Sequence, residues 1–365
     1  MTLHFYFARR FLSWLTVIFF GLSALIILID IVDQTTRFVD RGANAAGIFE
    51  LVVLNAPQAI SQILPLIVLL ATVAFFINLA RTSELVATRA AGRSALGALV
   101  APVVVVLILG TLATTTLNPI VAATSTRYVE VRQTYRTAGA ASFSISSEGL
   151  WLRQATEDGQ MLIRAWRSNA DGSVLYDVAF LEYEEPGNPN RRIRADSAQL
   201  QDGTWILRNA KDWPLGRGVN AESNAVVSET LTIPSTLTLD NIRESFGQPS
   251  FISIWKLPEH IAQLERAGYS SLEHQVWMQS ELARPLFLVA MVLIAGAFTM
   301  RHTRFGGTGT AVLAAVMLGF ALYFVRNFSL ILGENGQIAV YLAAWAPPVA
   351  SVLLAFGPIL HAEDG

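Results

Sequence analysis

The sequence predicts a membrane α-helical protein with six transmembrane helices, split three and three around an inserted all-β domain of the sandwich or jelly-roll kind. Two observations carry that prediction. Long uncharged apolar runs gather toward the two ends of the 365-residue chain, and the sequence between them alternates in short strand-like stretches separated by turn dipeptides. Composition agrees, because 53% hydrophobic and 15% charged residues make the chain too apolar for a soluble protein of this length.

Taken in order, Phe11 to Ile29, Leu51 to Ala80, Ser94 to Thr126, Phe305 to Val325 and Ile338 to Leu360 contain no Asp, Glu, Lys, Arg or His. Each is long enough to cross a hydrocarbon layer of about 30 Å as a helix. The remaining run, Pro285 to Met300, needs the preceding turn from Val276, with Glu281 and Arg284, to complete a span. Lipid offers the backbone no hydrogen-bonding partner, so uncharged runs of this length cannot be open strands. Arg9 and Arg10 before the first run imitate a signal peptide, and Ala43-Asn44-Ala45 imitates a cleavage site. The run is too long for a signal's apolar segment and the tripeptide lies beyond several charges, so Phe11 to Ile29 is expected to remain as the first helix.

Orientation follows from arginine, which stays on the cytoplasmic side of short loops. Arg9 and Arg10, the three arginines between Arg81 and Arg93, and Arg301 and Arg304 mark three cytoplasmic segments. The loop from Asp30 to Glu50 is net acidic and the segment around Glu334 lacks arginine and lysine, so both are expected on the opposite face. The inserted domain then faces outward, with both termini in the cytoplasm.

Within that domain, Leu150 to Leu152, Met161 to Ile163, Val174 to Tyr183, Ile193 to Leu200 and Thr204 to Leu207 read as strands. Asp158-Gly159, Asp171-Gly172, Pro186 to Pro189 and Asp202-Gly203 supply the hairpin turns between them. An apolar face of Trp151, Ile163, Trp166, Phe180 and Trp205 would form either an ordinary core or a shelter for acyl chains. Leu257 to Ala267, opened by Pro258, reads as a short amphipathic helix at the membrane surface, an elbow into the fourth span. The expected division is therefore 1–135 for the first three spans, 136–256 for the β domain, and 257–365 for the elbow and the last three spans.

Several chemistries are excluded. The chain has no cysteine, and its five histidines are scattered, so neither a thiolate site nor a metal site is expected. Lys211 and Lys256 are the only lysines, and the glycine cluster Gly306, Gly307, Gly309 lacks the lysine a phosphate-binding loop requires. ATP, if used, must bind another subunit. A lipid-modifying enzyme using Glu182, Glu184 and Glu185 is a rival reading without a nucleophile elbow or spaced carboxylates to support it; a scaffold with a partner-binding outer domain is another. The connector Arg81 to Arg93, RTSELVATRAAGR, has helix-start chemistry, with Thr82 or Ser83 as cap and Glu84 favourably placed at the helix dipole. A short cytoplasmic helix between two spans suits a permease that receives motion from an ATPase.

The segment RTSELVATRAAG, Val32-Asp33-Gln34 after the first span, SSEGLWLR at Ser146 to Arg153 and the three-plus-three architecture together resemble the LptF/LptG permease family of the lipopolysaccharide exporter, over nearly the whole chain. The resemblance implies a subunit of the bacterial inner membrane that pairs with an LptF-like paralogue around a cavity open to the outer leaflet. An LptB-like ATPase dimer would hold ATP and Mg, this chain binding no cofactor. An LptC-like single-span jelly-roll protein would relay lipopolysaccharide from the membrane lipid into periplasmic jelly-roll domains. No nucleic acid is expected. By the same resemblance the family's coupling helix maps onto Arg81 to Arg93, with Arg81, Ser83, Glu84 and Arg89 as contact residues. Lipid-phosphate contacts map onto Arg37 and Arg136, with Arg132 beside them.

Two positions depart from the family: Asp30 stands where a basic residue can occur, and Arg326 where an acidic one can. At about 1.5 Å per residue both fall near the outer leaflet. An arginine within a span costs roughly 2.5 to 3.5 kcal/mol on insertion scales and normally faces a cavity or a partner. The exchanged signs imply an Asp30–Arg326 charge pair, within the subunit or across the paralogue interface. Lipid phosphate is the other candidate partner of Arg326, and a snorkelling arginine is the alternative to both.

Overall fold

A computed structural model describes residues 2–39, 42–90, 94–135, 143–146, 149–156, 159–168, 174–184, 188–201, 203–215, 220–235, 248–266, 270–300 and 308–364. Among them, six helical stretches are long and apolar enough to cross a membrane: Leu3–Phe38, Ala45–Arg81, Leu96–Arg132, Leu272–Thr299, Gly309–Glu334 and Val340–Leu360. The first lies in α1 (Thr2–Phe38) and the second is α2 (Ala45–Arg81), which opens where the Asn44 side chain accepts the Gly47 amide at 2.8 Å. The connector helix α3 (Glu84–Ala90) follows. Ser94 caps α4 (Ala95–Leu112) by accepting the Gly97 amide, and a π-helical turn, Ala113–Leu117, joins α4 to α5 (Asn118–Tyr135) within one continuous span. After the β region come α6 (Leu257–Arg266), α7 (Leu272–Thr299), α8 (Thr308–Glu334) and α9 (Val340–Asp364).

The chain divides into two compact units. One contains 1–129, 253–255 and 272–365; the other contains 130–252 and 256–271. In the helical unit α7 is the central element, with Val276, Phe287, Leu288 and the run from Ala290 to Ala297 almost entirely buried. Small residues let neighbouring backbones close on it. A β-carbon added at Gly110 of α4 would lie 2.7 Å from Pro285 Cα, and one at Gly333 of α8 would lie 3.1 Å from the Val276 side chain of α7 and 2.5 Å from the Ala343 methyl of α9. By contrast α1 and α8 keep broad apolar faces exposed, including Phe20, Leu28, Met317, Phe324 and Phe328.

In the other unit, seven strands form one antiparallel sheet whose order follows the chain: β1 (Phe143–Ser146), β2 (Gly149–Thr156), β3 (Gly159–Ser168), β4 (Val174–Glu184), β5 (Asn188–Gln201), β6 (Thr204–Pro214) and β7 (Val226–Pro234). The inserted all-β domain is thus built of successive hairpins. Its core holds Leu152, Ile163, Phe180, Ile193, Trp205 and Leu207, and the rings of Phe180 and Trp205 meet edge-on with centroids 6.0 Å apart.

One sequence expectation changes here. Trp166 and Trp151 do not share the inner face with Ile163, Phe180 and Trp205: Trp166 is half exposed, and the Arg164 guanidinium lies 4.9 Å from the Trp151 ring centre and 4.8 Å from that of Trp166. Strand side chains alternate, so Ile163 and Ala165 point inward while Arg164 and Trp166 point outward, and Trp151 sits opposite Arg164 in the ladder. Helix α6 has the amphipathic pattern the sequence predicts. It buries Leu257, Ile261 and Leu264 on one face, and Leu264 joins the core of the sheet.

Candidate functional site

The connector begins with an abrupt change of direction. Thr82 closes α2, donating both its amide and its hydroxyl to the Asn78 carbonyl at 3.0 Å, so it does not cap α3. Ser83 takes a left-handed backbone, φ 58°, unusual for a residue with a β-carbon and costing on the order of 1 kcal/mol. Its carbonyl then accepts the Ala87 amide at 3.0 Å and opens α3. Glu84 is the first helical residue, and Leu85 behind it is buried in the hydrophobic core of the helical unit.

Glu84 turns toward its own chain. Arg10 of α1 donates to both carboxylate oxygens, the Tyr6 hydroxyl donates at 3.1 Å, and the second Arg10 nitrogen donates to Asn78 Oδ1 at 2.6 Å. The Arg10 guanidinium also lies 5.7 Å from the Tyr6 ring centre. Arg10 and Glu84 side chains keep 23% and 29% exposure, enough shelter to strengthen a charge-assisted contact without isolating it from water. Burial acts to raise the Glu84 carboxyl, but the hydrogen bonds led by Arg10 outweigh it and hold the group below its ordinary value. Phe7 and Phe11 support this corner, meeting Phe75 of α2 edge-on at 6.2 and 5.6 Å.

Of the other expected coupling residues, Arg81 and Ser83 are exposed at the turn, while Arg89 belongs to α3 with its side chain outside the described residues. Sequence reasoning did not identify Arg10, Tyr6 and Asn78 as partners. The only local signal was the four-residue spacing of Tyr6 and Arg10, which puts them on one helix face.

A second polar constellation lies inside the helical bundle. Glu281, with no exposed surface, forms an ion pair with Arg284 one turn along α7. Arg284 also donates to Ser61 of α2 at 2.8 Å, and Asn118 donates to the Glu281 carboxylate at 3.2 Å. Thr114 in the π-helical turn donates to the Glu281 backbone carbonyl at 2.9 Å. A π-helical turn lengthens the hydrogen-bond repeat and leaves groups for outside partners. Here Trp255 donates to the Thr115 carbonyl at 3.2 Å, and Asn118 accepts the Ile254 amide at 2.9 Å.

Arg326 stands beside this group, its guanidinium 5.2 Å from the Phe287 ring centre and within the electrostatic reach of Arg284 and Glu281. Asp30 has different neighbours: Gln34 donates to it at 3.1 Å and Asn55 at 3.0 Å, while Gln34 also donates to the Tyr128 hydroxyl at 2.9 Å. Asp30 and Arg326 are not brought together within this chain. The Val32-Asp33-Gln34 segment instead has a structural division of labour, with Gln34 buried among polar partners and Asp33 holding exposed Arg37 at 2.9 Å. Arg132 is half-buried in the last turn of α5; Arg136, Glu185, Gly306 and Gly307 lie outside the described residues.

The family model described as lipopolysaccharide export system permease LptF/LptG matches residues 5–361. The chain is 24% identical over 328 residues to the lipopolysaccharide export system permease protein LptG of Escherichia coli K12, covering 87% of this chain and 86% of that protein. It is 23% identical over 348 residues to the protein of the same name from Haemophilus influenzae Rd, covering 93% of each.

Proposed function

We propose, on the premise that this chain belongs to the lipopolysaccharide export permease family LptF/LptG, that it is the LptG-type subunit of an ATP-driven exporter. It is a multi-pass inner-membrane protein. It pairs with an LptF-like paralogue through spans such as α1 and α8, whose exposed apolar faces need lipid or protein to cover them. An LptB-like ATPase dimer on the cytoplasmic side binds ATP and Mg and acts on α3. An LptC-like single-span protein joins the assembly. Lipopolysaccharide leaves the outer leaflet through the paired cavity and is handed to the periplasmic β domain.

The observation that carries this reading is the placement of a short helix, α3, between the second and third spans of a permease-family chain. It has charged groups at its start and Leu85 anchored in the bundle core, so force applied to it reaches packed helices. Arg37, Arg132, Arg136 and Arg326 are the lipid-phosphate candidates. Arg326 fits that role best, because Glu281 already has Arg284 as its ion-pair partner and the cluster therefore carries one more cation than anion. In the β domain, Phe180 and Trp205 fill the interior with protein side chains, so accepting an acyl chain requires the sheet to part.

The test is reconstitution of the purified complex in vesicles, with a photocrosslinker at Phe180. Capture of lipopolysaccharide at that position is expected only with ATP present. ATP-independent capture would refute driven hand-off. Turnover of lipid by this chain alone would favour the enzyme reading, and lack of any associated ATPase would favour the scaffold.

A further inference from the structure

Glu84 is usually the kind of residue one would assign to an incoming partner: an acid at the start of an exposed helix. The geometry assigns its carboxylate inward. Both oxygens are taken by Arg10, one also by Tyr6, and Arg10 is itself held by Asn78. Three elements separated in sequence, α1, the end of α2 and the start of α3, therefore meet at one carboxylate.

Helix α3 is too short to hold a direction by itself. It has seven residues, well short of the roughly 12 to 15 at which an isolated helix becomes even marginally stable. Its entry is a two-residue turn, with Ser83 in the left-handed region. Leu85, in the bundle core, and Thr88 one turn on, also buried, seat one face of the helix. The contact at Glu84 adds a charged link from the start of that helix to α1.

We propose that Arg10, supported by Tyr6 and Asn78, is the positioning residue of the connector: it sets the orientation of α3 and ties it directly to the first span. A push on α3 then reaches α1 through the ion pair as well as α2 through the peptide chain. This inference rests on the permease reading, because it names the route by which a cytoplasmic motor would move the first span.

Two measurements separate the failure of this inference from the failure of that reading. The first needs no transport. The chain has no cysteine, so Phe5→Cys and Val86→Cys, both at exposed positions, can carry spin labels without background in the complex assembled with a cysteine-free partner set. A narrow distance distribution between them is expected, broadening in Arg10→Ala and recovering in part in Arg10→Lys. An unchanged distribution in Arg10→Ala overturns the proposal.

The second measurement is lipid exported per ATP hydrolysed. Arg10→Ala should lower this ratio roughly tenfold, the change expected of losing an interaction of about 1.4 kcal/mol. Tyr6→Phe should lower it less. The exchange Arg10→Glu with Glu84→Arg should restore part of what each single reversal loses. A normal ratio in Arg10→Ala, an exchange no better than its singles, or loss of the ATPase subunit from the complex would each overturn the positioning role. A wild-type complex that neither hydrolyses ATP nor moves lipid would instead sink the permease reading, leaving the distance measurement to judge the clasp.

Discussion

The same chemical pair, arginine with glutamate, occurs at two places in the helical unit and serves different ends. Arg284 and Glu281 are three residues apart on one helix, with side chains 11% and 1% exposed. Arg10 and Glu84 are 74 residues apart, with 23% and 29% exposed. The first ion pair lies within one helix and neutralises a charge that could not otherwise remain in the bundle, its links to α2 and α5 running through the neutral Ser61 and Asn118. A pair between elements at a wetter site adds modest stability and strong geometry. Burial and sequence separation, rather than the identity of the residues, decide which pair holds the fold and which sets a direction.

Removing one partner should do the most damage inside the bundle. Glu281→Ala leaves Arg284 buried beside Arg326 without its carboxylate, a defect worth about 3 to 5 kcal/mol for a buried pair. Folded yield and melting temperature in detergent should fall severely. The double change Glu281→Leu with Arg284→Met should regain much of the loss, because apolar side chains of similar volume need no partner there. Melting of Glu281→Ala at the wild-type temperature would mean that water reaches the site, erasing the distinction between the two pairs. Arg10→Ala, in contrast, should leave melting almost unchanged while coupling falls.

Arg326 provides an intermediate case, a cation packed on Phe287 near another cation. A double-mutant cycle on export, with Asp30→Arg, Arg326→Asp and both together, asks whether its anion is Asp30. Within the chain Gln34 and Asn55 both donate to the same Asp30 oxygen and no ion pair joins Asp30 to Arg326, so the pairing this cycle would detect is one made in an assembled complex. Simple addition of the two defects would remove Asp30 and leave lipid phosphate as the partner of Arg326.

The sheet supplies a milder case. Arg191 of β5 forks onto Asp212 of β6, with its closest contact at 2.7 Å and both side chains partly sheltered. Asp212→Ala should cost about 1 kcal/mol, near the upper end for a partly exposed pair, and should be seen in the melting of the chain without affecting ATP coupling. A loss of coupling from this variant would mean that the pairs do not divide by place as argued.

How much of this was legible in the sequence follows from the range of each interaction. The six spans were, because a run without charge has few options in lipid. The outward place of Trp166 could also have been read, since Ile163 and Trp166 differ by three positions and a regular strand cannot turn both inward. The seat of α6 could not: an apolar stripe predicts burial without naming the surface that covers it. Nor could the Arg10 clasp, because helix entry at Ser83 and the packing of Phe7, Phe11 and Phe75 jointly bring its members together. Arg10 had a sufficient explanation as a cytoplasmic charge, and that explanation hid its second role.

The smallest expected effect is an absence of change near neutral pH. At Glu84 two influences oppose each other, burial favouring the neutral acid and hydrogen bonds led by Arg10 favouring the carboxylate, and the second prevails, holding the group below its ordinary value of 4.5. The sign follows directly. With the folded value depressed, stabilisation by the clasp is present in full above the unfolded value and is lost as pH falls through the folded one. Arg10, whose own value is raised by the contact, keeps its charge across this range, so the contact follows the Glu84 carboxylate. The spin-label distance between residues 5 and 86 should therefore stay narrow from about pH 8 to pH 5 and broaden only at more acid values. Broadening already near about pH 6 would show that burial wins at Glu84, and the connector would then resemble the dry interior more than the comparison allows.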